Sequence, residues 1–308
     1  MPTPQDLHID TLMTNFSISY RNLEAVGDRL FPIVPVEKES NKFAILDPNK
    51  DQWRVRDVQR APRSRSNTIE WFNGTGTYVV TEYAVNTGVD DRERNNADNP
   101  LAPDQAATQA ALDAIITARE DRIAAKATTA ASYSAANKVT LAGAQQWSDV
   151  TSNPRGDFDT GKSAVRKAVG KIINRAVVSF DVFTKLALVT KVLNAIQYTT
   201  LGVATTALLQ QYLGIQELVV AQMIKNTANE NAAVATADIW GKFAVLAYVE
   251  DGAGLWGMSF GKTFRQGQRE VRRWREEPKH SDFFEPCERT DENFVAVDAG
   301  YLISAAIA

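Results

Sequence analysis

The sequence is poor in the residues from which catalytic and metal sites are most often built. Its 308 residues include one cysteine, Cys287, and two histidines, His8 and His280. A single thiol excludes an internal disulfide and fits a reducing compartment. The two histidines sit in dissimilar contexts, and neither has a nearby serine or cysteine flanked by elbow-type glycines. No catalytic triad is read from them. Cys287, in FFEPCERTD, reads as an incidental thiol in a polar β turn. No CxxC, HExxH or EF-hand spacing occurs, so no metal site is expected. A membrane-length apolar run is also missing. The most apolar window, 201–224, contains Gln210, Gln211, Gln216 and Glu217, which makes it too polar for a span. The start, MPTPQDLHID, lacks a basic region followed by an apolar run and reads as no signal peptide. Neither charge is in large excess: 34 Lys and Arg stand against 37 Asp and Glu, a net charge of −3. Nothing global therefore argues for nucleic acid as a partner. The expectation is a soluble protein of about two domains, with no membrane and no cofactor.

What the chain has in abundance is alanine, concentrated in one stretch. Pro103 to Ser132 reads PDQAATQAALDAIITAREDRIAAKATTAAS. Pro103 suits a first helical position, where its missing N–H costs nothing, and Asp104 complements the helix dipole. Leu112, Ile116 and Ile123 fall at spacings of four and seven, and Ile115 and Ala127 widen this into one apolar face. Arg119 and Lys126 share that face; their stems can lie along it with the charged heads in water. Glu120, Asp121 and Arg122 lie off the stripe. The helix is expected over about 103–131, a rod of roughly 42 Å. It reads either as the core helix of an α+β enzyme or as a spine to which separate pieces of sheet attach.

Upstream, residues 1 to about 30 lack a strong period and read as an arm packing on its own or another subunit. Phe31 to Pro35 is extended, since each residue before a proline is pushed out of the helical region. Residues 36–73 form a long irregular stretch. Short apolar runs there are separated by DPNKD and RAPRSRSN, both rich in turn residues. So long a loop is unusual inside a compact domain and is commonly functional or bound elsewhere. Thr77 to Val85 is β-rich. Downstream of the long helix, Asn153-Pro154 marks a turn, and Asp159 or Thr160 can cap a helix whose stripe is Val165, Ala168, Val169, Ile172 and Ile173. Ala176–Ser179, Leu218–Ala221 and Phe243–Val249 suit strands. Asp181–Leu193 and Thr205–Leu213 suit helices, the second ended by Gly214. Residues 175–250 thus read as a compact α/β unit. The tail reads as short strands at 270–274, 283–285, 294–297 and 301–306, a meander.

Several local patterns resemble chemistry. Gly252-Ala-Gly254-Leu-Trp-Gly257 matches GxGxxG after a predicted strand, but the fingerprint also needs a helix opening at the third glycine. Gly261-Lys262-Thr263 resembles the end of a P-loop whose first glycine would fall at Trp256. Both read as turns, with a nucleotide-binding enzyme on the Gly252–Thr263 loop as the alternative. Asp90, Asp91, Glu93 and Asp98 form an acidic cluster around Arg92 and Arg94. It reads as a solvated loop, a charge partner for another subunit, or a weak metal site. The loop 54–65 holds Arg54, Arg56, Arg60, Arg63 and Arg65 against Asp57 alone, a net of +4. Arginine suits carboxylate pairing across protein interfaces. It also suits phosphates, but the aromatics for single-strand stacking are limited to Trp53 and Trp71 at the edges. A second run, Arg265, Arg269, Arg272, Arg273 and Arg275, reads as a solvated or inter-subunit strand edge.

The order of parts (arm, extended loop, long helix, α/β unit, terminal β segments) resembles tailed-phage major capsid proteins with the HK97-like fold. YAVNTGVDDRERNNADNPLAPDQAATQAALDAIITARE is similar to the strand-to-spine-helix junction of one such capsid family. GIQELVVAQMIKNTANE with ADIWGKFAVLAYVE resembles the paired segments of its axial domain, and SFGKTFRQGQREVRRW with VAVDAGYLISAAIA its closing strands. The resemblance implies an α+β fold divided into an N-terminal arm (1–35), an E-loop (36–76) and a peripheral domain with the spine helix (77–174). An axial domain (175–250) and peripheral closing strands (251–308) complete it. It further implies a non-enzymatic protein that self-assembles in the host cytoplasm into hexamers and pentamers of an icosahedral virion shell. Double-stranded DNA would be held inside non-specifically. Portal, decoration and separate scaffolding proteins are the implied partners, since no long scaffolding segment precedes the arm. Lys42 and Lys50 lie in the loop, but no crosslink motif matches. Inter-subunit contacts are expected from Arg54, Arg56, Arg60, Arg63 and Arg65 toward Asp90, Asp91 and Glu93. A phage neck or tail subunit is the second alternative.

Overall fold

The computed structural model describes residues 8–20, 22, 25–45, 55, 58–66, 74–97, 102–196, 205–229, 232–252, 254 and 257–308. The chain opens with β1 (His8–Ile9), α1 (Thr11–Ser19), α2 (Gly27–Leu30) and β2 (Ile33–Val36). β3 (Ser40–Ile45) and β4 (Gly74–Val79) pair as a two-stranded ribbon. β5 (Thr81–Ala84), β6 (Thr87–Asp90) and α3 (Asp91–Asn96) lead to the spine helix α4 (Pro103–Thr128). Next come β7 (Lys138–Thr140), α5 (Pro154–Val169), β8 (Arg175–Ser179), α6 (Phe180–Ala187), α7 (Thr190–Ile196), α8 (Thr206–Leu213) and β9 (Glu217–Ala221). β10 (Ile224–Asn226) and β11 (Thr236–Asp238) make a small hairpin before β12 (Ala244–Ala247). β13 (Gly261–Glu276), β14 (Ser281–Phe294) and β15 (Gly300–Ser304) complete the chain.

Two sheets organise these elements. The first is built on the antiparallel hairpin β13–β14, with β1 and β2 along one edge and β5 and β6 along the other. The second runs β7-β15-β12-β8-β9. The terminal segments are therefore not a meander. Two strands of 16 and 14 residues replace the short runs expected from 270 to 297. The last strand leaves that hairpin and pairs with β12, joining the sheet of the 175–250 unit. Residues on both faces of β13 and β14 are buried in part, which hides the two-residue alternation that marks a half-buried strand. Pro286 lies in β14 between the stretch paired to β6 and the stretch paired to β5, so its missing N–H falls in a gap of the outer ladder. Cys287 beside it is buried in that strand and not in a turn; burial pushes its thiol pKa up.

Local signals explain most other departures. Asp10 accepts hydrogen bonds from the Leu12 and Met13 amides and starts α1 where no period was visible. The described residues of the first 36 pack on their own subunit, through β1 and β2 on β13 and α1 against β13 and α4. α5 begins at Pro154, five residues before the expected cap, with proline in its first turn. It ends at Gly170, whose φ of 68° is the left-handed cap.

The spine helix covers 26 residues, about 39 Å, and ends three residues short of 131. Its face of Leu112, Ile115, Ile116, Ile123 and Ala127 is buried as the stripe requires. The charges on it behave differently from expectation. Arg119 is only 4% exposed, so its head is not in water. Its Nη1 donates to Glu288 Oε1 at 3.0 Å and its Nη2 to Asp28 Oδ2 at 2.9 Å. Arg269 Nε donates to the other oxygen of Glu288 at 2.8 Å. Arg122 pairs with Glu292 at 2.9 Å, and Lys126 Nζ donates to the Glu292 carbonyl. Arg119, Arg122 and Lys126, spaced three and four apart, thus face Glu288 and Glu292, which share one face of β14. Glu120 is also buried, at 2%. It accepts from Trp240 Nε1 at 2.7 Å and from the amides of Val26 and Gly27, tying α2 and the segment before β12 to the spine.

An aromatic hub joins the two sheets: Phe31, Tyr133, Phe260 and Phe294 stack or meet edge to face within 6.0 Å. Gly261 and Gly300 give it room, since a Cβ at either would enter the Phe31 or Phe260 ring. Gly261→Ala is expected to cost about 1–3 kcal/mol by overpacking, read as a lower urea midpoint with unchanged slope. A second expectation concerns pH. The Arg119 and Arg269 guanidiniums hold the Glu288 carboxyl below the ordinary range against its burial. Its folded pKa is lowered, so its contribution is full above the unfolded value of about 4.3 and is lost as pH falls through the folded value. Stability falls in that acid window. Glu288→Gln removes that part of the pH dependence and, by leaving two buried arginines underpaired, costs about 3–5 kcal/mol at pH 7 in the same melts.

Candidate assembly interface

The ribbon β3–β4 is the root of a flap. Its stem is fixed by one small apolar cluster in which Phe43 and Tyr78 pack on Phe264 of β13, with centroids 4.9 and 4.7 Å apart, beside Val34, Val36 and Val295. Gly76 makes this possible, because a Cβ there would meet the Phe43 ring. The Val79 amide donates to Asp291 Oδ2 at 2.8 Å and closes the stem. Beyond the stem the character changes: residue 55 and residues 58–66 are all exposed. Val55 is 97% and Val58 85% exposed. Neither valine gains the stabilisation that burial would give it.

The predicted arginines divide accordingly. Arg60, Arg63 and Arg65 are exposed. Arg60 Nε donates to the Ser64 carbonyl at 2.7 Å, closing a tight turn in which Arg63 takes a left-handed φ of 67°. Arg54, Arg56, Lys50, Trp53 and Trp71 lie outside the described residues, as does Asp98.

The predicted acids have partners inside the subunit. Asp90 and Glu93 form a capping box on α3: Asp90 accepts from the Arg92 amide at 2.7 Å, and Glu93 reaches back to the Asp90 amide at 3.4 Å. Asp91 accepts both Nη groups of Arg275, at 3.1 and 2.7 Å, and these guanidinium bonds hold its carboxyl below the usual range. The segment is a capped helix and not a loop. The D-x-x-E spacing was the signal that could have revealed it.

The second basic run is likewise internal. Arg272 pairs with Glu82 at 3.0 Å, Arg273 with Asp282 at 2.9 Å and Arg275 with Asp91. Arg269 is buried on Glu288. Arg265 alone among the five has no ion pair or side-chain hydrogen bond among the described residues, and its Nε is buried without an acceptor. Sequence reasoning missed these pairs because the partners of Arg119, Glu288 and Asp28, lie 169 and 91 residues away.

The nucleotide-like motifs do not assemble a phosphate cradle. Gly261, Lys262 and Thr263 are the first residues of β13, so no helix N-terminus follows them. Lys262 is fully buried, and its Nζ donates to the carbonyls of Gly254 and Gly257 at 2.6 and 2.7 Å. Thr263 Oγ1 donates to the Phe31 carbonyl at 3.1 Å. The motif pins the glycine turn to the hairpin. Among the described residues, no group of three or more His, Cys, Asp or Glu side chains is placed to hold a metal, and no helix is long and apolar enough to cross a membrane.

No family model matches the chain. It is 30% identical to the major capsid protein of Burkholderia phage BcepMu, over an alignment covering 96% of each chain. A solved phage-related protein from Bordetella bronchiseptica RB50 superposes with a TM-score of 0.79 at 24% identity over 97% of both chains. The capsid of cyanophage P-SCSP1u gives 0.60 at 10% identity over 91% of this chain and 88% of that one, a likeness of fold. The fold is HK97-like. Full-length identity to a curated relative, on that fold, makes the chain a member of the tailed-phage major capsid proteins.

Proposed function

We propose that the chain assembles with copies of itself into hexamers and pentamers of an icosahedral virion shell around double-stranded DNA. In this reading the chain is a structural building block with no catalytic step. The observation that carries the reading is the contrast between a tightly packed body and a flap whose described tip residues are all exposed. A tip rich in valine and arginine gains its contacts from outside its own subunit. The 36–76 segment is then the E-loop, lying over a neighbour, and 1–35 the arm. The 77–174 region and the β13–β14 hairpin form the peripheral domain. The 175–250 unit, its sheet extended by β15 and β7, is the axial domain. DNA is held without sequence preference, in keeping with a net charge of −3. Portal, scaffolding and decoration proteins fit the same role, as does assembly in the host cytoplasm.

In this reading Arg60, Arg63 and Arg65, with Arg54 and Arg56, meet carboxylates of the next subunit. Asp90, Asp91 and Glu93 already hold internal partners, so they contribute only as second acceptors. Each exposed pair is weak, and repetition around the shell supplies the strength. The double variant Arg60→Glu with Arg63→Glu is expected to leave the thermal midpoint of the unassembled protein unchanged while abolishing particles in electron micrographs. Normal shells from that variant would remove the flap arginines from the interface.

A further inference from the structure

A cleft of about 930 Å³ lies between the two sheets, bounded by Pro35 of β2 on one side and Val220 of β9 on the other. Among the described residues β9 is the last strand of its sheet and β2 pairs only with β13, so each presents an unpaired strand edge there. Five arginines and three carboxylates among the described residues line the cleft. Four of the arginines are engaged. Arg119 and Arg269 hold Glu288, Arg175 holds Glu217 at 2.7 Å, and Arg29 reaches Glu217 at 3.5 Å. Arg265 is not, and its buried Nε lacks an acceptor. Oδ1 of Asp28, in the same cleft, is buried and lacks a donor. Burial, with the neighbouring Arg269 and Arg119, depresses the Arg265 pKa against the opposing pull of Glu288 and Asp28, neither of which forms an ion pair or hydrogen bond with it.

The cleft therefore offers one unsatisfied donor, one unsatisfied acceptor and two open strand edges. We infer that it receives an extended segment of a second copy of this chain. That segment's main chain adds to a strand edge and donates to Asp28, and a carboxylate it carries accepts from Arg265. Peptide backbone brings both N–H and C=O groups, which is the chemistry of strand addition. A nucleic-acid phosphate brings acceptors only; it would satisfy Arg265 and set a second anion against Asp28. A second copy is the occupant because the shell reading, on which this inference rests, surrounds each subunit with identical ones. The cleft's excess of arginine also suits a chain of net charge −3.

Two measurements on the full-length chain test this. First, a photoreactive benzoylphenylalanine replacing Gln210, which lines the cleft, is irradiated in assembled particles and in unassembled protein. A crosslink mapped by mass spectrometry to another copy, in particles only, is expected. Labelling only within the same chain, on nucleic acid, or not at all overturns the inference. Second, Arg265→Ala removes no internal bond, so the unassembled protein keeps its thermal midpoint while shell yield falls about tenfold, the scale of one lost charge-assisted contact. Arg265→Lys restores part of that yield. Wild-type yield from Arg265→Ala overturns the inference and leaves the shell standing. A drop in midpoint equal to that of a core variant makes Arg265 a folding residue and overturns it as well. Failure of the unsubstituted chain to form particles overturns the shell reading and this inference together.

Discussion

Glu288 is the point on which the body turns. Its two oxygens hold Arg119 of the spine helix and Arg269 of the long hairpin, and through Arg119 it reaches Asp28 of the N-terminal segment. A buried charge costs several kcal/mol unless it is paired and hydrogen-bonded, so each partner makes the others obligatory. Three stretches distant in sequence are thus held in one arrangement, with little tolerance for sliding. Glu120, one residue further along the spine, does the same for α2 and Trp240. The aromatic hub around Phe31 and Phe260 then joins the two sheets through apolar contact. The result is a stiff body whose polar interior specifies geometry more than it adds stability.

The flap follows the opposite rule. Its stem is anchored by Phe43, Tyr78 and Phe264, and its described tip touches water on every residue. An exposed segment of this kind has too little buried apolar area of its own to offset the entropy of ordering it. In the proposed shell, neighbours supply that area. The cleft between β2 and β9 is the complementary feature, a concave surface with unmet hydrogen-bonding groups. A rigid body, an outward projection and an inward recess are the minimum needed for a subunit whose stability as a particle comes from repetition.

Parts of this were legible residue by residue. The spine helix could be read from Leu112, Ile116 and Ile123 because a 3.6-residue period is local and strong. Gly214 ended α8 where a left-handed residue was required, and β8 and β12 showed as apolar runs because both faces of each are covered. The long hairpin was not legible: its interior residues, Glu288 and Glu292 among them, are charged, and charge on a strand ordinarily signals solvent. Arg119 misled for the same reason. Asp90 and Glu93 carried a readable capping signal that a count of acidic residues concealed.

The amino-acid order alone determined the spine helix, α8 with its glycine cap, the glycine and proline punctuation, and the unusual length of the segment between β2 and β4. These rest on backbone sterics and on periodicities spanning a few residues. Only the tertiary structure decided which charges are internal, that β15 joins the second sheet, and that Arg265 Nε and Asp28 Oδ1 face a common recess without a partner. Those outcomes depend on contacts between residues well separated in the chain, 59 positions for Ala244 with Ile303 and 169 for Arg119 with Glu288, where pairing is set by the geometry of the packed body and leaves no trace in local spacing.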